Sequence, residues 1–333
     1  MTGKRMKRRT FLVATTAATV TASAGCLGNG DDDEPELYTT PAATEFDDVV
    51  DVQWLEDNLD DVALLDIREE GDFTVSHIEG AHRLPDYEMM RDHYEETDDG
   101  YEASPEVIAG ILEDAGISRD DDVVVYGESS NLWETYGIYT LHAIGHDGNV
   151  SLLDGGFPVW DEAGGETDSG VPDDGDGSYE PELDMDVIAT REYVADHVNE
   201  DGADIPIVDN RDPEEYFGQD TDDDRFDRHG HVTGAINITF PQNMIEDARR
   251  LRSPEELEEL WFDEAGLDPD EETISYCVSA VRASVGWFVM KQLGWDEVRN
   301  YEGSWLDWGT LSDDDGYYYT TGEGTGTVID PFI

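Results

Sequence analysis

The sequence contains two copies of one pattern, and this repetition limits the folds that the chain can adopt. Each copy begins with an apolar run that ends in Asp-x-Arg, continues through a His-x-x-Gly-Ala segment and a second apolar run, and closes on an acid, a glycine and aromatic residues. The matched segments are 64–68, 77–81, 123–126 and 154–160 in the first half and 207–211, 231–235, 273–276 and 302–308 in the second. Because corresponding segments lie about 150 positions apart, the repeating unit has the size of a whole domain and not of a solenoid repeat.

Short apolar runs alternate with helical patterns in both halves, as at residues 105–115 and 254–265. That alternation is typical of a parallel sheet with helices on both faces. We therefore predict an α/β fold of two tandem domains, each with a mainly parallel central sheet flanked by helices. The predicted organisation is a first domain at 45–163, a linker rich in Gly, Asp, Ser and Pro at 164–186, a second domain at 187–312 and a tail at 313–333.

The charge balance is strongly acidic, with 82 Asp and Glu residues against 19 Lys and Arg residues and a formal net charge of −63. Such a chain repels nucleic acid, so we expect no nucleic-acid partner. The acids are spread along the chain, which indicates a solvated surface adapted to concentrated salt, as in haloarchaeal proteins. A cation-binding surface is the alternative, although the acids show no calcium-loop spacing. No feature of the sequence specifies an oligomeric state.

The first 26 residues have the composition of an export signal. A basic start that includes Arg8 and Arg9 precedes a mildly apolar run from Phe11 to Ala24, which is followed by Gly25 and Cys26. The paired arginines resemble a twin-arginine signal, and the segment before Cys26 resembles a lipobox whose cysteine is acylated. Residues 27–44 are acidic and lack hydrophobic periodicity, which predicts a flexible tether. We expect an exported protein on the cell-surface side of the cytoplasmic membrane, anchored by a lipid on Cys26, although Ser23 leaves open cleavage without lipid attachment.

The other cysteine, Cys277, lies where a reactive residue is expected in an α/β fold. The chain has only two cysteines, so no disulfide framework is predicted. Cys277 follows the apolar run at 273–276 and precedes a helical pattern, which places it beyond the carboxyl end of a strand. The helix dipole and the surrounding backbone N–H groups favour a thiolate there, and Arg282 adds a permanent positive charge. Such a site stabilises a persulfide or binds a small anionic donor.

The segment around Cys277 resembles the active-site loop of the rhodaneses, the thiosulfate and 3-mercaptopyruvate sulfurtransferases: residues 276–284 are Tyr-Cys-Val-Ser-Ala-Val-Arg-Ala-Ser. The segments at 230–235 and 302–305 and the repeat itself extend the resemblance over both halves. The resemblance implies that Cys277 takes sulfane sulfur from thiosulfate or 3-mercaptopyruvate and, as a persulfide, passes it to cyanide, a thiol or a protein. It implies no metal and no organic cofactor. The loop residues implied to contact the donor are Val278, Ser279, Ala280, Val281 and Arg282.

The chain departs from the rhodanese pattern at three positions. Gly127 stands in the first domain where the second has Cys277, so the first domain is expected to be silent and to form part of the cleft wall. Ala280 replaces a glycine that is common in these loops. Glu215 stands where some thiosulfate-specific relatives carry an arginine, which leaves the identity of the donor open. Anion binding would then rest mainly on Arg282, with further candidates at Arg68, Arg83, Arg225, Arg228 and Arg249.

Other residues of the pattern have a structural interpretation. Asp209 and Arg211 recur in the half without a cysteine, so we predict that they support the loops as a buried ion pair. His231 also recurs there and is interpreted as a hydrogen-bonded fold residue and not as a base.

Three other functions can be compared with sulfur transfer. Cysteine phosphatases with this architecture need Cys-x5-Arg to surround a phosphate, whereas this chain has Cys-x4-Arg, so phosphatase activity is not expected. A non-catalytic sulfur-binding or sensing module is the main alternative, because Ala280 replaces a glycine and because Val278 and Ser279 are uncharged. A thiol oxidoreductase is disfavoured, since no second cysteine lies near Cys277 in the sequence.

Overall fold

The structure, a computed structural model, describes residues 40–84, 95–97, 100–102, 105–128, 131–221, 225–245, 250–311 and 316–329. Within these ranges the chain forms two α/β units, each built around one parallel sheet. Helices from the connections between strands pack against these sheets. The predicted class, two tandem domains with mainly parallel central sheets, is confirmed.

The first domain has a five-stranded parallel sheet. The described strands of the domain, including those outside this sheet, are β1 (Val49–Val50), β2 (Ala63–Asp66), β3 (His77–Ile78), β4 (His82–Arg83), β5 (Glu95–Thr97), β6 (Gly100–Glu102), β7 (Val123–Tyr126) and β8 (Val150–Leu153). Its helices are α1 (Pro41–Glu45), α2 (Val52–Asn58), α3 (Glu70–Val75), α4 (Pro105–Asp114), α5 (Leu132–Ala143) and α6 (Gly156–Ala163). The sheet order is β1-β8-β7-β2-β4. All four residues of β7 are buried, as expected for a central strand that is covered on both faces.

The predicted linker at 164–186 runs along the first domain. Its strand β9 (Thr167–Asp168) pairs antiparallel with β3. The Gly175 N–H donates to the carbonyl of Asp114 at 2.6 Å. Tyr179 is buried, and its hydroxyl lies 3.1 Å from Nδ1 of His146. The linker therefore packs against the first domain through main-chain and side-chain contacts.

The second domain repeats the architecture with a six-stranded parallel sheet. The described strands of the domain, including those outside this sheet, are β10 (Ile188–Ala189), β11 (Val198–Asn199), β12 (Gly202–Ala203), β13 (Ile207–Asp209), β14 (His231–Val232), β15 (Ile236–Asn237), β16 (Thr273–Tyr276), β17 (Val298–Tyr301), β18 (Tyr319–Thr320) and β19 (Thr327–Val328). Its α-helices are α7 (Arg191–Asp196), α8 (Pro213–Tyr216), α9 (Pro254–Glu258), α10 (Val281–Leu293) and α11 (Ser304–Trp308), with a 3₁₀ turn at Phe240–Asn243 and a π-helix at Glu259–Glu264. The sheet order is β10-β17-β16-β13-β15-β19.

The second domain extends beyond residue 312, into the segment predicted to be a tail. Strand β19 pairs in parallel with β15 and forms the edge of the central sheet. Strand β18 pairs antiparallel with β14. The main chain of this segment therefore supplies ladder hydrogen bonds to strands that lie about 90 positions earlier in the sequence.

The two domains meet through equivalent helices. Helix α5 of the first domain packs against α10 of the second, and Thr135 Oγ1 lies 2.9 Å from Ser284 Oγ. Each of these residues is the fourth of its helix, so the contact joins the same position of the two copies. The rings of Tyr139 and Trp287 meet edge to face at 5.4 Å between centroids. The interface is thus approximately self-complementary, like that of a twofold dimer.

Candidate active site

Cys277 lies between the end of β16 and the start of α10, at the carboxyl edge of the second sheet. Strand β13 runs parallel beside β16, and Asp209 pairs in register with Tyr276. The ends of two neighbouring strands therefore bring the Asp209 region and the cysteine to the same edge of the sheet. Cys277 is buried, with 1% of its surface exposed.

Ser304 holds in place the segment 277–283, here called the cysteine loop. Its Oγ accepts hydrogen bonds from the N–H groups of Cys277 at 3.2 Å and Ala280 at 3.0 Å, and its hydroxyl donates to the carbonyl of Tyr301 at 2.7 Å. Ser304 itself has a positive φ of 48°. The carbonyl of Cys277 accepts from the N–H of Trp305 at 3.1 Å. The loop is therefore fixed to the start of α11 by both side-chain and backbone contacts.

Ala280 explains why glycine is favoured at this loop position. Its φ is 63°, in the left-handed region that costs a side-chain-bearing residue about 1–2 kcal/mol. The residue is fully buried, and its carbonyl accepts from Nδ2 of Asn300 at 3.0 Å. The alanine therefore keeps the loop conformation under local strain.

Several loop amides make no hydrogen bond with the described residues. The N–H groups of Val278, Arg282 and Ala283 donate to no acceptor in the part of the chain that the structure describes. Two of them belong to the first turn of α10, where a helix leaves its N–H groups without internal partners. The same helix end carries the positive pole of its dipole. The loop can therefore offer main-chain hydrogen bonds to negative charge on sulfur.

The guanidinium of Arg282 is bound by a carboxylate of the same domain. Its Nη1 and Nη2 donate to the two oxygens of Glu215 at 2.6 Å and 2.8 Å, and Asp212 Oδ2 lies 3.8 Å from Nη1. Burial acts to lower the pKa of Arg282, but the hydrogen bonds to Glu215 and the electrostatic interactions with Cys277 and Glu215 outweigh it and raise the pKa above its ordinary value. Arg282 thus lies near Cys277, but its charge is already paired with that of Glu215.

Asp209 and Arg211 form a buried ion pair below the loop. Nε and Nη2 of Arg211 donate to the two Asp209 oxygens at 2.9 Å and 2.6 Å, and Nη2 also donates to the carbonyl of Gly230. The Tyr276 hydroxyl donates to Asp209 Oδ2 at 2.5 Å, and the guanidinium lies 4.4 Å from the centroid of the Trp305 ring. The pair therefore ties the ends of β13 and β16 to the start of α11.

The first domain contains the same ion pair without a cysteine. Nε and Nη2 of Arg68 donate to Asp66 at 3.0 Å and 2.6 Å, and Nη2 also donates to the carbonyl of Ser76. Its guanidinium lies 3.8 Å from the ring centroid of Phe157, which corresponds to Trp305 in the repeat. Because the arrangement recurs in both halves, it belongs to the fold of the repeat and not to one reaction.

His231 makes fold contacts. Its Nδ1 lies 2.7 Å from the carbonyl oxygen of Tyr216, and the two rings stack at 3.7 Å. Burial lowers the pKa of His231 below its ordinary value. In the first domain, His77 stacks on Phe73 and contacts its carbonyl in the same way. The histidine therefore has the same local role in both halves.

The other basic candidates are engaged elsewhere or lie outside the described residues. Arg228 donates from Nε and Nη2 to the carbonyl of Trp308 and from Nη1 to that of Tyr317. The Arg225 guanidinium lies 5.2 Å from the ring centroid of Phe226, and Arg83 donates to the carbonyl of Arg68. Arg249 and Cys26 fall outside the described residues, so the structure says nothing of the predicted lipid site.

The first-domain counterpart of the cysteine loop is filled by a side chain. A Cβ added at Gly127 would overlap Glu134 Oε1, and Glu134 is almost fully buried. Gly156, with a φ of 62°, stands where the second domain has Ser304. Sequence reasoning missed the roles of Ser304 and Asn300. The replacement of glycine by serine between the two copies was the signal that could have revealed Ser304.

Comparison with known proteins identifies the family. The Rhodanese-like domain matches residues 51–163 and again residues 190–311. The sulfur carrier protein TtuD of Thermus thermophilus is 34% identical over 277 residues, which cover 79% of this chain and 94% of that protein. The thiosulfate sulfurtransferase of Corynebacterium glutamicum is 32% identical over 286 residues, which cover 81% and 91%.

Solved structures show the same fold. The crystal structure of SseA from Escherichia coli, a 3-mercaptopyruvate sulfurtransferase, superposes with a TM-score of 0.63 at 22% identity and covers 76% of this chain and 97% of that one. Among the helices that the structure describes, none has the length and apolar character needed to cross a bilayer. The chain belongs to the rhodanese-like family, and it is a sulfurtransferase with two such domains in tandem.

Proposed function

We propose that the protein moves sulfane sulfur from thiosulfate or 3-mercaptopyruvate to a thiophilic acceptor, such as cyanide, a thiol or a protein, through a persulfide on Cys277. The observation that carries this proposal is the setting of Cys277 at the start of α10. The N–H groups of Val278, Arg282 and Ala283 donate to no acceptor within the described ranges. Such groups can stabilise both anions of the cycle, the thiolate and the persulfide.

The first half-reaction loads the cysteine. The Cys277 thiolate attacks the outer sulfur of thiosulfate, the S–S bond of the donor breaks, and its electron pair leaves with sulfite. With 3-mercaptopyruvate the C–S bond breaks instead, the electron pair goes to carbon, and a proton from solvent completes pyruvate. In the second half-reaction a nucleophilic acceptor attacks the outer sulfur of the persulfide, and Cys277 leaves as the thiolate.

Intact mass spectrometry tests the proposal. The purified protein is exposed to either donor in concentrated salt, and we expect a gain of one sulfur atom that a later addition of cyanide removes as thiocyanate. Cys277→Ser should abolish both the gain and the thiocyanate. Cys26→Ser removes the only other cysteine and serves as the matched control, because it should leave the gain unchanged. Failure of both donors to load the protein would overturn the proposal.

A sulfur-binding or sensing module is the second candidate. The nearly complete burial of Cys277 and the pairing of Arg282 with Glu215 favour it, since both slow the turnover of a small anion. The two candidates differ in one measurement. A sensor gains sulfur on Cys277 but releases no thiocyanate over many equivalents of donor and cyanide, whereas the sulfurtransferase turns over.

Export and lipid anchoring form the last part of the proposal. They rest on the arginine pair and on the segment that ends at Cys26, as described above. The mass of the protein isolated from its native membranes tests them, because processing adds a lipid to Cys26 and removes the residues before it. A protein that retains its first 25 residues or carries no lipid would contradict anchoring.

A further inference from the structure

The cysteine loop carries one cationic side chain, and a carboxylate already binds it. Among residues 277–283, only Arg282 has a basic side chain. Both of its terminal nitrogens donate to Glu215, at 2.6 Å and 2.8 Å. Asp212 adds a second acid at 3.8 Å. The loop and its neighbouring acids therefore present no net positive charge to an incoming donor.

Glu215 is held in place by its own helix. Its Oε2 also accepts from the N–H of Asp212 at 3.1 Å, as the closing residue of a capping box at the start of α8. Burial acts to raise the pKa of Glu215, but the hydrogen bond from Arg282 and the charges of Arg282 and Arg211 outweigh it and hold the pKa below its ordinary value. The carboxylate is therefore ionised at neutral pH.

The guanidinium of Arg211 does not compensate for the negative charge of Glu215 and Asp212. Arg211 is fully buried and donates to both oxygens of Asp209 and to the carbonyl of Gly230. A donor cannot recruit Arg211 without breaking this pair, and an uncompensated buried charge is costly. Among the described residues, the charged groups in contact with the side chain of Arg282 are Glu215 and Asp212.

We propose that Glu215 is a specificity-determining residue that disfavours dianionic sulfur donors, such as thiosulfate, relative to monoanionic donors, such as 3-mercaptopyruvate. The inference rests on the proposed function, since it concerns the same half-reaction at Cys277. It names the donor class that the loop favours, whereas the resemblance to rhodaneses leaves both donors open.

The physical reason is the charge that each donor brings to the loop. To bind through Arg282, a donor must displace Glu215 and leave a half-buried carboxylate close to its own negative charge. The repulsion energy is proportional to the charge of the donor, so it is about twice as large for a dianion as for a monoanion. Main-chain N–H groups at the start of α10 attract both donors, but this attraction is the same with and without the charge of Glu215, so it does not change the effect of that charge on the preference between donors.

The test compares the kcat/KM of sulfur transfer for the two donors in the wild type and in Glu215→Gln. The glutamine keeps an oxygen that can accept from the Asp212 N–H, so the cap of α8 is retained. Removal of one unit charge at about 6 Å, in a medium of effective dielectric constant about 40, changes the interaction with each donor charge about tenfold. We therefore expect the thiosulfate-to-mercaptopyruvate ratio of kcat/KM to rise about tenfold.

Two further variants make the test specific. Glu214→Gln removes the same charge from the neighbouring exposed residue, which makes no contact with Arg282 among the described interactions, and it should leave the ratio unchanged. Asp212→Asn keeps a good N-cap residue and removes the acid at 3.8 Å, so the ratio should rise by less, about threefold. Asp212→Asn also provides an independent measurement if Glu215→Gln folds poorly.

The outcomes separate this inference from the proposed function. A ratio that stays constant or falls in both Glu215→Gln and Asp212→Asn, while either donor still loads sulfur on Cys277, overturns the role of Glu215 alone. If neither donor adds sulfur to Cys277 in any of the four proteins, the proposed function fails and the inference fails with it. A rise confined to Glu215→Gln and Asp212→Asn supports both.

Discussion

Removal of the Ser304 hydroxyl should destabilise the protein more than removal of any exposed capping hydroxyl. In Ser304→Ala the N–H groups of Cys277 and Ala280 lose their shared acceptor, and both bonds lie in the buried interior. A buried donor left without a partner costs about 1–3 kcal/mol, so the two together predict a loss of about 2–6 kcal/mol in the free energy of unfolding. That loss is a large part of the 5–15 kcal/mol typical of a folded domain.

The substitution of Ser304 by glycine separates strain from hydrogen bonding. Ser304 has a φ of 48°, which costs a residue with a side chain about 1–2 kcal/mol, whereas glycine adopts this conformation at an entropic cost of about 0.5–1 kcal/mol. Ser304→Gly loses the same hydroxyl but relieves the strain. It should therefore be more stable than Ser304→Ala by about 1 kcal/mol.

Urea unfolding in concentrated salt provides the measurement. Ser253→Ala is the matched control, because the exposed Ser253 hydroxyl caps α9 by accepting from the N–H of Glu256. Its removal should lower the free energy of unfolding by about 1 kcal/mol. At urea concentrations where every variant is folded, sulfur loading should fall at least tenfold in Ser304→Ala, since the loop amides are no longer held. If Ser304→Ala loses no more stability than Ser253→Ala, the reasoning about the shared acceptor is refuted.

Two further predictions concern the first domain. Burial, with the charges of Lys291 and His146, lowers the pKa of His142 from 6.5 to about 4, so the folded state resists protonation and should lose stability as the pH falls from 6.5 towards 4. The full pKa shift corresponds to about 3 kcal/mol of stability, and solvent contact at this partly exposed ring reduces it to about 2 kcal/mol. In urea titrations at pH 7 and pH 4.5, His142→Gln should lack that part of the loss of stability in acid. Equal losses in the wild type and in His142→Gln would contradict the assignment. Gly127→Cys should gain no second persulfide, and its free energy of unfolding should fall by about 1–3 kcal/mol, because the new Cβ would overlap Glu134 Oε1. A gain of two sulfur atoms by intact mass would show that the loop of the first domain accepts a nucleophile.

The position of Cys277 at a strand end could be predicted because it depends on a local pattern. An apolar run, a short loop and an apolar helix follow one another in the sequence, and the same order in the first half made the domain unit visible. The parallel sheets follow from the same alternation, since parallel neighbours require crossover connections.

The pairing of Arg282 with Glu215 could not be predicted in the same way. The two residues lie 67 positions apart on different elements, and their contact depends on how α8 sits beside the start of α10. From the sequence, Arg282 was expected to bind the donor anion, and its distance from Cys277 along the chain carries no information about a competing carboxylate. In an acidic chain many carboxylates were equally plausible partners.

The edge strand β19 illustrates a different limit. Thr327–Val328 is a two-residue strand in a Gly-rich segment, too short to show a periodic pattern. Its place beside β15 is decided by main-chain hydrogen bonds, and those depend little on the identity of the side chains. A boundary at residue 312 was therefore the natural interpretation of composition alone.

Because Thr135 and Ser284 belong to one chain, the contact between the two domains does not depend on protein concentration. Two separate subunits that met through such a matched pair would come apart below their dissociation constant. A peptide connection replaces that equilibrium with a constant local concentration, so the partner helix is present at any amount of protein. The half that carries Gly127 can then alter its own loop without weakening the pairing, because that loop and the matched helix positions are different residues.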